Sequence, residues 1–219
     1  MALTTYSGLS TGVFSRLNRT ADSTVFDNCI SLAESEINRR LALKPVRPMH
    51  TRNAAFSITG EYVAVPTGLL DVDSFKIVYS GDSFVVKPTS TQNMNDMFEA
   101  NDTTARPVFY AQVGTDFRFY PEPDTTYTAT LIYWLKVPNL TSGAPTNWLL
   151  TSHPDVYFHG VLAHAYEEYF DEKNADKQGA LFDAAMQKVL DAYPNRPDHR
   201  PLKSDISENQ LSGLRTVLV

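Results

Sequence analysis

Three of the five histidines lie in the segment "HPDVYFHGVLAHAYEEYF", residues 153–170, which also contains two adjacent glutamates. Histidine and glutamate are zinc ligands, and histidine is the commonest group in acid–base catalysis. A zinc pair on a helix needs two ligands four residues apart, so that both point the same way. His164 and Glu168 meet this spacing. His159 and His164 are five residues apart and diverge on a helix of 3.6 residues per turn.

The rest of the sequence suggests no third ligand for this pair. His50 follows a loop proline and His199 lies near the C-terminus, far along the chain from the pair. We therefore interpret His164 and Glu168 as an i,i+4 pair on a solvated or subunit-facing surface, with a metal or acid–base site as the alternative. The buried stripe of this helix is predicted to contain Phe158, Leu162, Ala165 and Tyr169.

The remaining chemical motifs are weak. Asp71 and Asp73 could hold a divalent cation, but the pattern "LLDVDSF" is more typical of a turn that leads into a strand. The single cysteine, Cys29, excludes an intrachain disulfide and lies on the apolar stripe of a predicted helix, which favours a buried thiol. No GxSxG, phosphate-binding or GxGxxG motif is present. The sequence therefore predicts no enzyme, with no catalytic residue, metal ligand or cofactor.

Composition narrows the class of protein further. The chain has 219 residues, 42% of them hydrophobic and 20% charged, as expected for a globular protein with a real core. The net charge of −6 and the lack of a basic run argue against a surface that grips nucleic acid. Neither a secretory signal nor an apolar segment of ~20 residues is visible, so we expect synthesis in the cytoplasm and no membrane partner.

Hydrophobic periodicity predicts an α+β fold. The first 21 residues are rich in Ser, Thr and Gly and are expected to form an irregular arm. Residues 22–43 show the period of an amphipathic helix, whose apolar stripe is predicted to contain Val25, Phe26, Cys29, Ile30, Ala33, Ile37 and Leu41. Residues 54–137 contain about seven short β runs with one short helix at 90–100. Helical patterns at 148–170 and 174–193 predict an antiparallel hairpin. An antiparallel β module is thus inserted between an N-terminal helix and a C-terminal helical hairpin, within one domain spanning 1–193.

The β runs are rich in aromatic residues, which leaves a second function open. A carbohydrate- or ligand-binding β module would use exposed rings, whereas their regular alternation along the strands is more often a sign of core packing. The candidate rings are Tyr110, Phe117, Phe119, Tyr120, Tyr133 and Trp134.

Residues 194–219 differ in composition from the rest of the chain. Three prolines are followed by a polar stretch and an apolar end, with too little apolar content for a separate core. The pattern predicts an extended C-terminal arm that docks on a partner, with folding back on its own domain as the alternative. The candidate binding residues are Pro201, Leu202, Ile206, Leu211, Leu214, Arg215, Val217, Leu218 and Val219.

Several phrases, in their order along the chain, resemble the head–tail connector (adaptor) proteins of tailed bacteriophages. They are "LAESEINRRL", "YVAVPTGLLDVDSFKI", "RPVFYAQVGTDFRFYPEPDTTYTATLIYW" and "NWLLTSHPDVYFHGVLAHAYEEYF". Together they cover residues 22–193, and none of them is a catalytic signature.

The resemblance implies a structural virion protein at the head–tail interface. It implies a ring, usually of twelve copies, that joins the portal protein to a downstream tail or nozzle protein. Double-stranded DNA would pass through the lumen without specific binding. In such adaptors the C-terminal segment commonly reaches into the portal, which would give the arm at 194–219 its partner.

Overall fold

The computed structural model describes residues 3–101 and 103–193, which form six α-helices and eight strands. The helices are α1 (Tyr6–Leu17), α2 (Ser23–Leu43), α3 (Thr91–Ala100), α4 (Trp148–Ser152), α5 (Pro154–Glu168) and α6 (Glu172–Ala192). The strands are β1 (His50–Ile58), β2 (Tyr62–Ala64), β3 (Leu69–Tyr79), β4 (Asp82–Val85), β5 (Lys87–Pro88), β6 (Phe109–Val113), β7 (Asp116–Tyr120) and β8 (Tyr127–Leu135). The predicted α+β class, with strands placed between helices, is confirmed.

The expectation of an irregular arm over the first 21 residues is wrong, because α1 occupies most of that segment. The Thr5 hydroxyl caps the helix by accepting the Gly8 N–H at 3.1 Å, and Asn18 ends it in the left-handed conformation with φ 54°. Leu9, Val13 and Phe14 are buried. Burial of these side chains against the other helices outweighs the low helix propensity of the surrounding Ser, Thr and Gly residues.

Helices α2, α5 and α6 pack against one another and, with α1 and α4, enclose one hydrophobic core. Gly160 allows the close approach at the centre of this layer. A Cβ atom at that position would lie 3.1 Å from the ring of Phe182 and 3.4 Å from the Cβ of Ala33. A larger residue at 160 would therefore push the three helices apart.

The strands form a β-sandwich with its own core. One sheet has the order β1-β8-β3-β4 and the other β2-β7-β6-β5, and all neighbours are antiparallel except β5 and β6. Aromatic rings from both sheets meet between them: the centroid of Phe75 lies 5.7 Å from Phe117 and 5.5 Å from Phe119. The sandwich is therefore closed by edge-to-face packing of rings from opposite sheets.

The helices after the sandwich differ from the sequence prediction in two details. The predicted helix at 148–170 is divided at His153, because Pro154 starts a new helix after the short α4, whose cap is Asn147. The second helix begins two residues before the predicted start and is capped by the Asp171 carboxylate, which accepts the Asn174 N–H at 3.3 Å.

Candidate functional site

The histidines of the 153–170 segment do not converge on one point. His164 Nδ1 lies 3.0 Å from a carboxylate oxygen of Glu167, and its Nε2 lies 4.0 Å from Glu36 on α2. The partner of His164 is therefore Glu167, and not Glu168 as the spacing predicted. His159 Nδ1 instead faces the side-chain oxygen of Gln178 on α6, at 2.8 Å. Each ring thus joins α5 to a different surrounding helix.

The two aspartates of the "LLDVDSF" segment also have separate partners. Both lie inside β3, at two irregularities in its pairing with β8, and not in a turn before the strand as predicted. Asp71 accepts a hydrogen bond from the Val72 N–H at 2.8 Å, and Asp73 lies 3.4 Å from His50. Within the described residues, no group of three or more His, Cys, Asp or Glu side chains is arranged to hold a metal ion.

Zinc binding tests the interpretation of His164 as a packing residue. We expect titration with zinc to give no tight one-to-one heat by calorimetry, because a Glu–His–Glu contact spread over two helices offers only one nitrogen ligand. His164→Ala is expected to leave the calorimetric trace unchanged, and chelator is expected to change the stability of the natural chain and of the variant by no more than about 0.5 kcal/mol. A one-to-one binding event that the substitution removes would contradict this interpretation.

The aromatic residues considered for a carbohydrate site are mainly core residues. Tyr110, Phe117, Phe119 and Tyr133 are buried between the two sheets. Of the other two, Tyr120 packs edge-on against Phe98 of α3 and Trp134 packs against His50 and the helical core. Buried rings cannot stack on a sugar, so these residues give no support to a glycan-binding surface.

A buried carboxylate connects the helical layer to the loop that follows the sandwich. Glu34 on α2 is only 4% exposed, and its carboxylate accepts the Leu140 backbone N–H at 2.6 Å. Nearby, the Asn147 side-chain amide donates to the Tyr157 hydroxyl at 2.7 Å and to the Pro138 carbonyl at 2.8 Å. These bonds fix the 138–147 loop against α2 and α5.

Burial dominates the electrostatics of this network. Desolvation raises the pKa of Glu34 to about 7, although hydrogen bonds from the Leu140 N–H and Tyr157 partly oppose the shift. Desolvation also raises the pKa of the Tyr157 hydroxyl. One helical turn away, Asn38 exchanges two hydrogen bonds with the backbone of Val137, at 2.8 and 3.3 Å. Glu34 and Asn38 of α2 therefore fix the position of the segment that follows β8, through their hydrogen bonds to Leu140 and Val137.

The other predicted site residues divide into two groups. Cys29 is buried in the helical core, as expected from the sequence, and burial raises the pKa of its thiol to about 11. The nine candidate residues of the C-terminal arm, from Pro201 to Val219, lie outside the described residues. Their proposed role stays a prediction.

Comparison with known proteins supplies the family. The sequence model of the SU10 adaptor protein family matches residues 4–204, which include both cores and the Glu34 network. The chain belongs to the SU10 adaptor family. The resemblance to phage adaptors is thereby confirmed, and the adaptor is a structural component of a phage virion. No curated protein matches the chain.

Two large apolar side chains among the described residues are almost fully exposed. Phe170, between α5 and α6, is 93% exposed, and Leu43, the last residue of α2, is 87% exposed. No helix in the described residues is both long and apolar enough to cross a bilayer. Single exposed apolar side chains are common on protein surfaces, so these two residues stand out only by how completely they are exposed.

Proposed function

We propose that this adaptor forms a ring between the portal and the tail of a phage, and that DNA passes through the ring. The observation that carries the proposal is the family match, which extends over both cores and into the proline-rich start of the C-terminal arm. The partners would be the portal protein on one side, a downstream tail or nozzle protein on the other, and identical copies of this chain around the ring.

The division of the described residues into two cores suits a ring component. Within the described residues the two buried clusters have no member in common, and Glu34 and Asn38 of α2 hold the segment that leaves the sandwich, at Leu140 and Val137, against the helical core. A subunit with two separately packed parts can offer different surfaces to a protein above and a protein below. The polar contacts at the junction would hold those surfaces at a fixed separation and orientation.

The charge of the chain is compatible with a conduit for DNA. A ring of twelve copies, each of net charge −6, would carry on the order of −70. Lumen walls with part of that charge repel phosphate groups, so DNA can slide without being held. A basic lumen would instead bind the duplex and oppose its movement.

The C-terminal arm is the proposed contact with the portal. Its last residues include Leu211, Leu214, Val217, Leu218 and Val219, which have no core of their own to enter if the arm is extended. Burial of these side chains in a cleft of the portal would supply the apolar area that a stable contact needs. The prolines before them, at 194, 197 and 201, are of the kind that would favour an extended arm.

Removal of the arm tests this role. We expect the chain without residues 195–219 to keep its circular dichroism spectrum and melting temperature, but to lose attachment to purified portal by at least about a hundredfold. The measurement is the mass added to the portal in analytical ultracentrifugation. A second variant keeps the full length of the arm but replaces Leu211, Leu214 and Leu218 by serine, so it removes only the apolar side chains and should also lose attachment. Undiminished attachment of both variants would contradict the proposal.

A further inference from the structure

Phe170 is exposed in a backbone conformation that phenylalanine rarely adopts. Its φ is 59°, in the left-handed region that usually holds glycine at the end of a helix. The conformation is fixed by two hydrogen bonds, from the Phe170 N–H to the Glu167 carbonyl at 3.0 Å and from the Asp171 N–H to the Tyr166 carbonyl at 2.9 Å. A strained residue whose ring contacts solvent contributes little to folding, which points to a role in binding.

Leu43 lies at the opposite end of the helical layer. The α2 and α5 helices run antiparallel, since Arg19, just before α2, packs over the ring of Tyr169 at the end of α5, at 3.9 Å. With its 21 residues, α2 is about 30 Å long. The turn that contains Phe170 is therefore at the start of α2, and Leu43 is about one helix length away.

The sequence neighbours of Phe170 and of Leu43 have opposite charge, although Asp155 and Asp191 also lie towards the Leu43 end of the layer. Around Phe170, the six residues 167–172 contain four carboxylates, with Lys173 next to them and Arg19 engaged on Tyr169. The acidic residues are Glu167, Glu168, Asp171 and Glu172. We call this surface, with Phe170 at its centre, the acidic end.

The other surface, the basic end, has Leu43 at its centre. Arg39, Lys44 and Arg47 lie within four residues of Leu43, and none of them has a salt bridge to a described residue. Arg40 is different, because its guanidinium binds Glu36 and Asp183. Three cations therefore lie close to Leu43 along the chain, whereas at the acidic end Glu167 also contacts His164 and Asp171 also caps α6.

We propose that the acidic end of one copy docks on the basic end of the next copy. Two different surfaces with complementary charge give a head-to-tail contact, which forms a ring when the rotation between neighbouring copies closes. Two acidic ends facing each other would instead place like charges together. This inference rests on the proposed ring and names the contact that forms it: an aromatic anchor, Phe170, beside Leu43, with charge pairs around them.

Substitution of Phe170 by glycine separates folding from assembly. Glycine adopts a φ of 59° without steric strain, so we expect the melting temperature of Phe170→Gly to equal or exceed that of the natural chain. Association between copies on the portal is expected to fall about thirtyfold, because the anchor is lost. Leu32→Ala, on the exposed side of α2, is the control and should leave association within about threefold. Unchanged association of Phe170→Gly would contradict the contact.

Crosslinking tests the partner directly. Chains with Phe170→Cys and chains with Leu43→Cys are mixed with purified portal and treated with a short bismaleimide. Cys29 is 3% exposed with its thiol pKa raised to about 11, so it should not react at neutral pH. We expect crosslinked dimers from this mixture, and none from either chain alone or from Phe170→Cys mixed with Leu32→Cys.

The outcomes separate the contact from the ring. The natural chain adding the mass of a ring to the portal would support the ring. If crosslinks then form only with position 32, only between two copies at position 170, or only with the portal, the proposed contact is wrong although the ring stands. If the natural chain adds no mass to the portal, the proposed function fails and the contact with it. Crosslinks between positions 170 and 43 in complexes of ring mass support both.

Discussion

Replacement of Glu34 by glutamine is expected to flatten the dependence of stability on pH between about pH 5 and 8. In the natural chain, burial raises the pKa of this carboxyl from 4.5 to about 7, so the folded state holds its proton more tightly than the unfolded state does. Stability that is present below pH 4.5 is therefore lost as the pH rises through 7. The loss from this one group is about 3 kcal/mol, and the neutral amide of Glu34→Gln avoids it.

The measurement is urea unfolding at pH 5.5 and pH 8 for three chains. Glu34→Gln should gain relative to the natural chain as the pH rises, while Glu99→Gln, on an exposed part of α3, should follow the natural chain within about 0.5 kcal/mol. Glu34→Ala should be less stable than Glu34→Gln by about 1–3 kcal/mol, because the Leu140 N–H loses its acceptor. Equal pH dependence of the natural chain and Glu34→Gln would contradict the assignment.

The position of Glu34 could have been noticed in the sequence, although its partner could not. It lies four residues after Ile30 and three before Ile37, both on the predicted stripe of the first helix, so a charge falls within an apolar face. Such a residue needs a polar partner in the core. That partner is the backbone of Leu140, 106 residues away, and local periodicity carries no information on contacts at that separation.

The helices show how far periodicity alone can predict burial. On α2 the prediction is confirmed, because one side of that helix faces the core. Its buried apolar residues, all on the predicted stripe, are Phe26, Cys29, Ile30, Ala33, Ile37 and Leu41.

On α5 the prediction is partly wrong. Leu162 and Ala165 are buried as expected, but Phe158 and Tyr169 are only half-buried, and Val156, Tyr157 and Gly160 are buried instead. Helices α1, α2, α4 and α6 surround α5, so no single face stands out.

The acidic and basic ends required the structure. Each charge cluster is visible in the sequence, but a charge run is usually only a solvated helix surface. The antiparallel packing of α2 and α5 places the two clusters at opposite ends of one layer, and the backbone at Phe170 marks that residue as unusual. Neither fact follows from composition or spacing, since both depend on how separate helices pack.

Truncation of Phe75 to alanine is expected to have the largest effect on the stability of the sandwich. Its ring contacts four others, with centroids 5.3 to 5.7 Å away, belonging to Phe56, Tyr110, Phe117 and Phe119. Loss of a buried phenylalanine leaves a cavity that such rigid rings fill poorly, so we expect a loss of about 3–5 kcal/mol. Phe75→Leu keeps most of the volume and should cost less than about 1.5 kcal/mol.

Amide hydrogen exchange then shows whether this loss stays within one core. Among the described residues the two buried clusters have no member in common, although Trp134 of β8 packs against the helical core and Val137, which Asn38 holds, belongs to it. Phe75→Ala is therefore expected to speed exchange in β3 and β8 more than in α2 and α5, because a local core opens before the whole molecule does. Phe26→Ala, in the helical core, should give the reverse pattern. Equal acceleration in strands and helices by both variants would mean that the two cores open as one unit, and it would contradict this prediction.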